Sequence, residues 1–300
     1  MKRFVSLLLI ASMLSLLFVQ TAFAVDPYDT NLLAYYNFDT DGSFPDESGN
    51  SHTGTVLNAS YNASGLIDGR YDFNNNGRVS VAHNGTMYPG TGSYTISGWF
   101  YSTETCTYNF CANDPVVISS DYDGGTTDPG FMFGVTWASG SVYAEAGWAD
   151  GSNISRTGSG GTVSRNAWTH FVSVRDVVDG EVRLYINGVK RDEKADVTSN
   201  INSFGDNALY IGANTVGMDF YFRGYIDEVG FWDRALSDGD VSVGQTAGGD
   251  VALLYNSGSG LPFQLGGVVP EFSTYGLVAV LLLAFGVVYL KMPKGKLAAK

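Results

Sequence analysis

The sequence predicts an all-β fold, a β-sandwich, on three observations. Between residues 30 and 236, short runs rich in β-branched and aromatic residues recur, each broken by Gly, Asn, Asp or Ser. Several of them alternate: in RVSVAH, Val79 and Val81 fall on one face and Ser80 on the other. No stretch before Leu236 in this region carries a convincing helical apolar period. Many short strands at regular spacing in one uninterrupted segment predict a single domain, residues 25–257, rather than two.

Taken in order, the strand candidates are NLLAYYNF, GRVSVAH, SYTISGWFYS, PVVISSDY, GFMFGVTW, SVYAEAGW, AWTHFVSVRD, EVRLYINGVKRDE, NALYIGAN and YIDEVGFW. Asn187-Gly188 inside RLYINGVKRD predicts a tight hairpin, since a two-residue loop needs positive φ at both positions. After Leu236 the strand pattern stops. SDGDVSVGQ and GDVALLYNSG each predict a short helix, with Ser237 and Asp250 placed as caps. Residues 258–271 read as a flexible linker.

The two ends predict export and anchoring. Lys2 and Arg3 precede an apolar run that closes on Ala22-Phe23-Ala24, a signal-peptidase pattern, so residues 1–24 read as a signal peptide; a retained membrane helix is the alternative. Residues 272–290 are uncharged and approach bilayer-spanning length. Four lysines follow in 291–300, which places that tail in the cytoplasm and the β domain outside. Pro270-Glu271-Phe272, an apolar span and a basic end together resemble the PEF-CTERM sorting signals of archaeal surface proteins. That resemblance implies sortase-type processing near the tripeptide; a permanent single-span anchor is the alternative. Either way the protein is expected at the cell surface.

Of 17 basic residues, Lys2, Arg3 and the tail lysines lie at the ends, leaving 11 against 30 acidic ones, a net charge near −19 for the exported part. Such a surface repels phosphates, which argues against a nucleic-acid partner, and supplies oxygen ligands for divalent cations. Cys106 and Cys111 predict a disulfide closing a small loop in an exported protein. Sequons at Asn58, Asn62, Asn84 and Asn153 mark possible glycosylation.

Several segments together resemble the laminin-G-like, concanavalin-A-like jelly-roll family. LLAYYNFD is similar to its first strand, DESGNSHTGTV to the turn that follows, and YTISGWFYS to the strand with a central Trp. WTHFVSVRD with LYINGV resembles the paired central strands, and LYIGAN with YIDEVGFWDRALS the closing ones. The resemblance spans about residues 32–256 and implies a two-sheet antiparallel jelly-roll sandwich. It implies one structural calcium near the junction of first and last strands, with Asp39, Asp46, Asn50 and Asp227 as ligands beside main-chain oxygens of 48–54. The alternative leaves Asp46 and Asn50 as turn formers and pairs Asp227 with Arg223 or Arg234. Alternation expects Asp227 on the face of Tyr225, Val229 and Phe231, and Glu228 on that of Ile226 and Trp232.

The fold also hosts glycoside hydrolases, whose carboxylates lie in a Glu-x-Asp-x-x-Glu spacing; this chain has none. Nucleophile-elbow, zinc-protease and phosphate-loop motifs are absent too. His170 reads as a structural histidine, and the chain as no enzyme. Aromatic and polar residues between 103 and 153 suggest sugar contacts: Tyr108, Asp121, Tyr122, Asp123, Tyr143 and Trp148, with Trp137, Asp150 and Asn153 nearby. Trp137 and Trp148 read equally as sandwich core. The expected function is adhesion or carbohydrate binding at the surface, with a surface glycan or another surface protein as partner. A passive structural protein and a degenerate glycosidase are the alternatives.

Overall fold

Alternating runs become paired strands because each can bury one face only against another sheet. The computed structural model describes residues 31–74, 76–82, 85–104, 115–120, 129–138, 141–159, 162–202, 208–214, 220–237 and 249–262, with the backbone alone at 137 and 138. The expected signal peptide, membrane span, sorting motif Pro270-Glu271-Phe272 and cysteine pair lie outside these residues. Among the described residues no helix is long and apolar enough to cross a membrane.

The strands are β1 (Leu32–Tyr36), β2 (Gly54–Leu57), β3 (Ser60–Asn62), β4 (Arg70–Phe73), β5 (Arg78–Val81), β6 (Tyr94–Ser102), β7 (Val116–Ser120) and β8 (Gly130–Ala138). They continue as β9 (Ser141–Ala149), β10 (Ile154–Gly158), β11 (Trp168–Asp176), β12 (Glu181–Ile186), β13 (Val189–Ala195), β14 (Leu209–Ile211) and β15 (Gly224–Trp232). The first sheet runs β13-β12-β11-β6-β15-β4-β3, with β1 added against β15; the second runs β10-β9-β8-β7-β14-β5-β2. Every predicted run contains a strand. The prediction missed β2, β3, β4 and β10, whose sequences GTVL, SYN, RYDF and ISRTG are too short to show a strand pattern. Pairing with neighbouring strands supplies the order that so few residues lack on their own.

The two sheets close on one core. Phe171 of β11 stacks on Phe133 of β8 with centroids 3.7 Å apart, and Phe100 packs beside both. The β12–β13 hairpin turns on Asn187 (φ 52°) and Gly188 (φ 73°), with Ile186 opposite Val189, so both loop residues adopt the positive φ expected. Arg175, 1% exposed, donates to Asp196 and to the carbonyls of Gly90, Gly92, Thr198 and Ser199, pinning three chain segments together.

One helix, α1 (Asp250–Tyr255), covers part of the outer face of the first sheet. Val251 and Leu254 pack with Leu32, Tyr35, Val172, Val174, Tyr185 and Trp232. Asp250 is not its cap: extended Gly249 holds that position without a side-chain bond. Asp250 instead turns inward, accepting from Arg234 and from the N–H and hydroxyl of Ser237. A buried carboxylate is better served by a guanidinium than by an exposed helix end. The other expected helix lies almost wholly outside the described residues.

Removing one ring of the inter-sheet stack leaves a cavity that the opposite sheet cannot fill. Phe171→Ala is expected to lower stability by about 3–5 kcal/mol, read as a shift in the urea midpoint.

Candidate functional site

β15 is the hub of the first sheet. Its first half pairs with β4 through Gly224, Tyr225 and Ile226; its second half pairs with β1 through Val229 to Trp232. Between the two, the register against β6 slips between Asp227 and Gly230, and Glu228 takes φ 55°. This is a β-bulge at a fork, and one residue is taken up without pairing. The slip corrects the expected faces. Ile226, Val229 and Phe231 all enter the core, although Ile226 and Val229 are three apart, while Trp232 joins the helix-covered outer face. Asp227 therefore shares the outer face with Tyr225 alone of its expected companions.

Loop 65–69 roofs Asp227. Its Oδ2 accepts the N–H groups of Leu66 (2.9 Å) and Ile67 (3.2 Å), while Oδ1 is buried with no hydrogen-bond partner among the described residues. Neither Arg223 nor Arg234 is its partner; they pair with Glu104 and Asp250. Asp39 holds the other end of the loop by accepting from Gly69 N at 2.6 Å. Burial pushes Asp227 up to about 8, the Asp39 charge adds to this, and the loop N–H bonds pull the other way. Burial likewise raises Asp39 and pushes Glu228 well above the usual carboxylate range. At neutral pH Asp227 is thus held mainly as the uncharged acid.

Asp46 and Asn50 do different work. Asp46 Oδ1 accepts from Tyr35 N and Ser48 N, and Oδ2 from His52 N. Asn50 turns its amide Nδ2 toward the carbonyls of Leu32 and Leu33. These bonds tie the 46–52 turn to β1, whereas Asp39 and Asp227 are tied to loop 65–69. Among the described residues no three His, Cys, Asp or Glu side chains are grouped to hold a metal ion.

Further along the same outer face lies an aromatic cluster that the sequence reading did not single out. Cross-strand register sets Trp168 of β11 opposite Tyr101 of β6, and Tyr101 opposite Tyr225 of β15. Tyr101 and Tyr225 stack at 4.9 Å, and Trp168 leans across them at 5.8 and 6.3 Å. Arg70 covers the other face of Tyr225 at 3.7 Å and pairs with Asp72. All three rings are half-buried. Among the described residues no protein group bonds Tyr101 Oη, Tyr225 Oη or Trp168 Nε1. Beyond the bulge the same face is sealed: Trp99, His170 and Tyr255 of α1 pack as a triangle of rings, with centroids 4.9, 5.8 and 6.0 Å apart. His170 is buried, bonds Ser97 Oγ through Nε2 and is pushed down to about 3 by burial, which keeps it neutral.

The residues expected to touch sugar fare differently. Trp148 is 1% exposed and packs against Phe131 and Tyr94 in the core, so its ring is closed to any ligand. Tyr143 is half-buried on β9, on the face opposite the core residues Val142 and Ala144. Asp150 closes a turn by accepting from the N–H groups of Ser152, Asn153 and Ser199. Tyr108, Asp121, Tyr122 and Asp123 lie outside the described residues, as does the side chain of Trp137. Among the sequons, Asn58 and Asn153 are exposed, Asn62 is half-buried with Oδ1 on Ser64 N, and Asn84 lies outside the described residues.

Fold and sequence together define a class. The chain belongs to the concanavalin A-like lectin/glucanases superfamily, whose family model matches residues 73–242. No curated protein matches the sequence. Among solved structures, the binding domain of Paraclostridial Mosquitocidal Protein 1 is similar, at TM-score 0.58 and 18% identity over 77% of this chain and 53% of that one. So is domain 4 of AbnA, a GH43 extracellular arabinanase from Geobacillus stearothermophilus, in complex with arabinotriose, at 0.51 and 19% over 71% and 97%. The binding domain of botulinum neurotoxin DC in complex with SialylT matches at 0.53 and 16% over 77% and 52%. The chain thus spans about half the length of these toxin domains. Likeness at such identities is likeness of fold.

Asp227 makes the domain sensitive to pH in a set direction. The unfolded carboxyl ionises near pH 4 while the folded one keeps its proton to about 8, so the stability this group gives is present below pH 4 and lost as pH rises to 8. Asp227→Asn keeps an acceptor for the loop N–H groups and removes that loss. Urea midpoints of variant and parent are expected to diverge in the variant's favour between pH 4.5 and 8; parallel curves would refute this.

Proposed function

We propose that this chain is a non-catalytic carbohydrate-binding module displayed at the cell surface. The half-buried cluster of Trp168, Tyr101 and Tyr225 carries the reading. Among the described residues it is a stretch of the first sheet's outer face where large rings stay half open and their polar tips have no protein partner. A sugar ring offers C–H faces for the Trp168 ring and hydroxyls for the tyrosine tips, the two halves of carbohydrate recognition. Solved neighbours include domains crystallised with arabinotriose and SialylT, which agrees with this reading. A non-catalytic role is supported by the burial of Asp227 and Glu228, 0% and 6% exposed, which hides both from a substrate. Display at the surface rests on the signal-peptide pattern and on the apolar span with its lysine tail.

Calcium is the second part of the proposal. The orphaned Asp227 Oδ1 and the neighbouring Asp39 fit a cation that supplies the missing counter-charge, with main-chain oxygens filling its shell. Asp46 and Asn50 are held elsewhere, Asp46 by three N–H groups of β1 and its own turn and Asn50 by its amide Nδ2 on the Leu32 and Leu33 carbonyls, so the reading rests on Asp227 and Asp39. Calcium would take the place of the Asp227 proton, so its binding should strengthen as pH rises. Millimolar calcium is expected to raise the melting temperature of the parent chain and not of Asp227→Asn; equal responses would remove the metal from this site.

The function is tested by presenting the full-length chain to a broad glycan array, with calcium and with EDTA. Selective binding is expected, weakened about tenfold or more in Trp168→Ala. A blank array, or a Trp168→Ala chain that binds as the parent does, would sink the glycan reading.

A further inference from the structure

Resting on that reading, we propose that the ligand of the aromatic cluster is an acidic glycan, one whose sugar rings carry carboxylates, as uronic acids do. Charge placement carries this. The exported part has 11 basic residues against 30 acidic ones, so an anion is repelled from most of its surface. Three of those 11 contact a ring of the cluster or stand within three residues of one: Arg70, Arg165 and Arg223. Arg70 lies flat on Tyr225. Arg165, three residues before Trp168, donates to the carbonyl of Glu104. Arg223 stands two residues before Tyr225, about 7 Å along the strand and within one side-chain length of the rings.

The pairing of each arginine decides which one can serve a ligand. Arg70 bonds Asp72 at 2.7 Å with a side chain 15% exposed, so its charge is already met and its role is to fix the Tyr225 ring. Arg223 meets Glu104 at 3.2 Å through Nη1 alone, and 52% of its side chain faces solvent. An exposed guanidinium with donors to spare is the group best suited to hold a sugar carboxylate in a two-bond fork. A neutral hexose would use the rings and leave this donor in water. A uronate uses both. The long-range field of the domain is unfavourable for anions, so only a site with a direct arginine contact would retain one.

The test compares oligomers that differ only in the carboxylate: galacturonate, glucuronate and mannuronate chains against their neutral hexose counterparts, by calorimetry on the full-length chain at low and high salt. At least one uronate oligomer is expected to bind about tenfold or more tightly than its neutral partner at low salt. The gap should close in molar salt and in Arg223→Gln, the uronate's affinity falling toward that of its neutral partner. Arg223→Lys, which keeps a charge opposite Glu104 but loses the two-bond fork, serves as a second variant and should narrow the gap. Equal affinities, binding confined to neutral glycans, or a uronate preference that survives both variants would overturn the acidic-ligand inference while the glycan reading stands. A blank array, or a Trp168→Ala chain that binds as the parent does, would overturn both.

Discussion

A buried carboxylate under a loop is the constraint on which the first sheet depends. β15 serves two partners on one side, β4 along its first half and β1 along its second. Two strands cannot meet one edge at the same point without a gap. The bulge at Asp227 and Glu228 fills that gap, and the N–H groups of Leu66 and Ile67, which would be stranded there, find Asp227 Oδ2. An apolar residue at 227 would satisfy neither. The site thus tolerates a carboxyl forced toward neutrality because the backbone needs its oxygen more than the core needs its absence.

From that fork the outer face of the first sheet divides. On one side α1 lays Val251 and Leu254 on Trp232 and its neighbours, and Tyr255 on Trp99, so the face is dry. On the other side the strands carry equally large rings, Tyr101, Trp168 and Tyr225, and no helix among the described residues lies above them. Large rings left half open cost hydrophobic burial, and a chain that seals one half of a face with a helix has the means to seal the rest. That contrast within one surface, rather than the presence of aromatic residues as such, distinguishes the cluster from core. Loop 65–69 is adjacent to both regions: Asp227 holds its middle, and Arg70, which stacks on Tyr225, also donates to the carbonyl of Ser64 just before it. The order of the loop and the order of the cluster are therefore linked.

Much of the fold was legible from local pattern. Ten alternating or apolar runs correspond to strands, and Asn187-Gly188 marked the one hairpin whose turn type depends on its residues. The missing strands, β2, β3, β4 and β10, are short, and exist because their partner strands order them. The site was less legible. Trp148 and Trp168 sit in strands of similar composition, yet one packs on Phe131 in the core and the other lies half open. The spacing of Asp39 from Asp227 in sequence gave no sign that both would grip one loop.

The sequence by itself determined that the chain is a β sandwich, where most strands lie, that a carboxylate pair interrupts the closing strand, and that the stretch between the two apolar ends is strongly acidic. These follow from side-chain size, φ preference and charge, which act locally or simply add. Tertiary structure alone decided which face of each strand is covered, where β15 slips register, and which aromatic rings remain open. Alternation divides a strand into two faces but cannot say which of them meets the other sheet, which meets a helix and which meets water. That choice is made by partners distant in the chain: β4 and β1 at the fork, and α1 over half of the outer face.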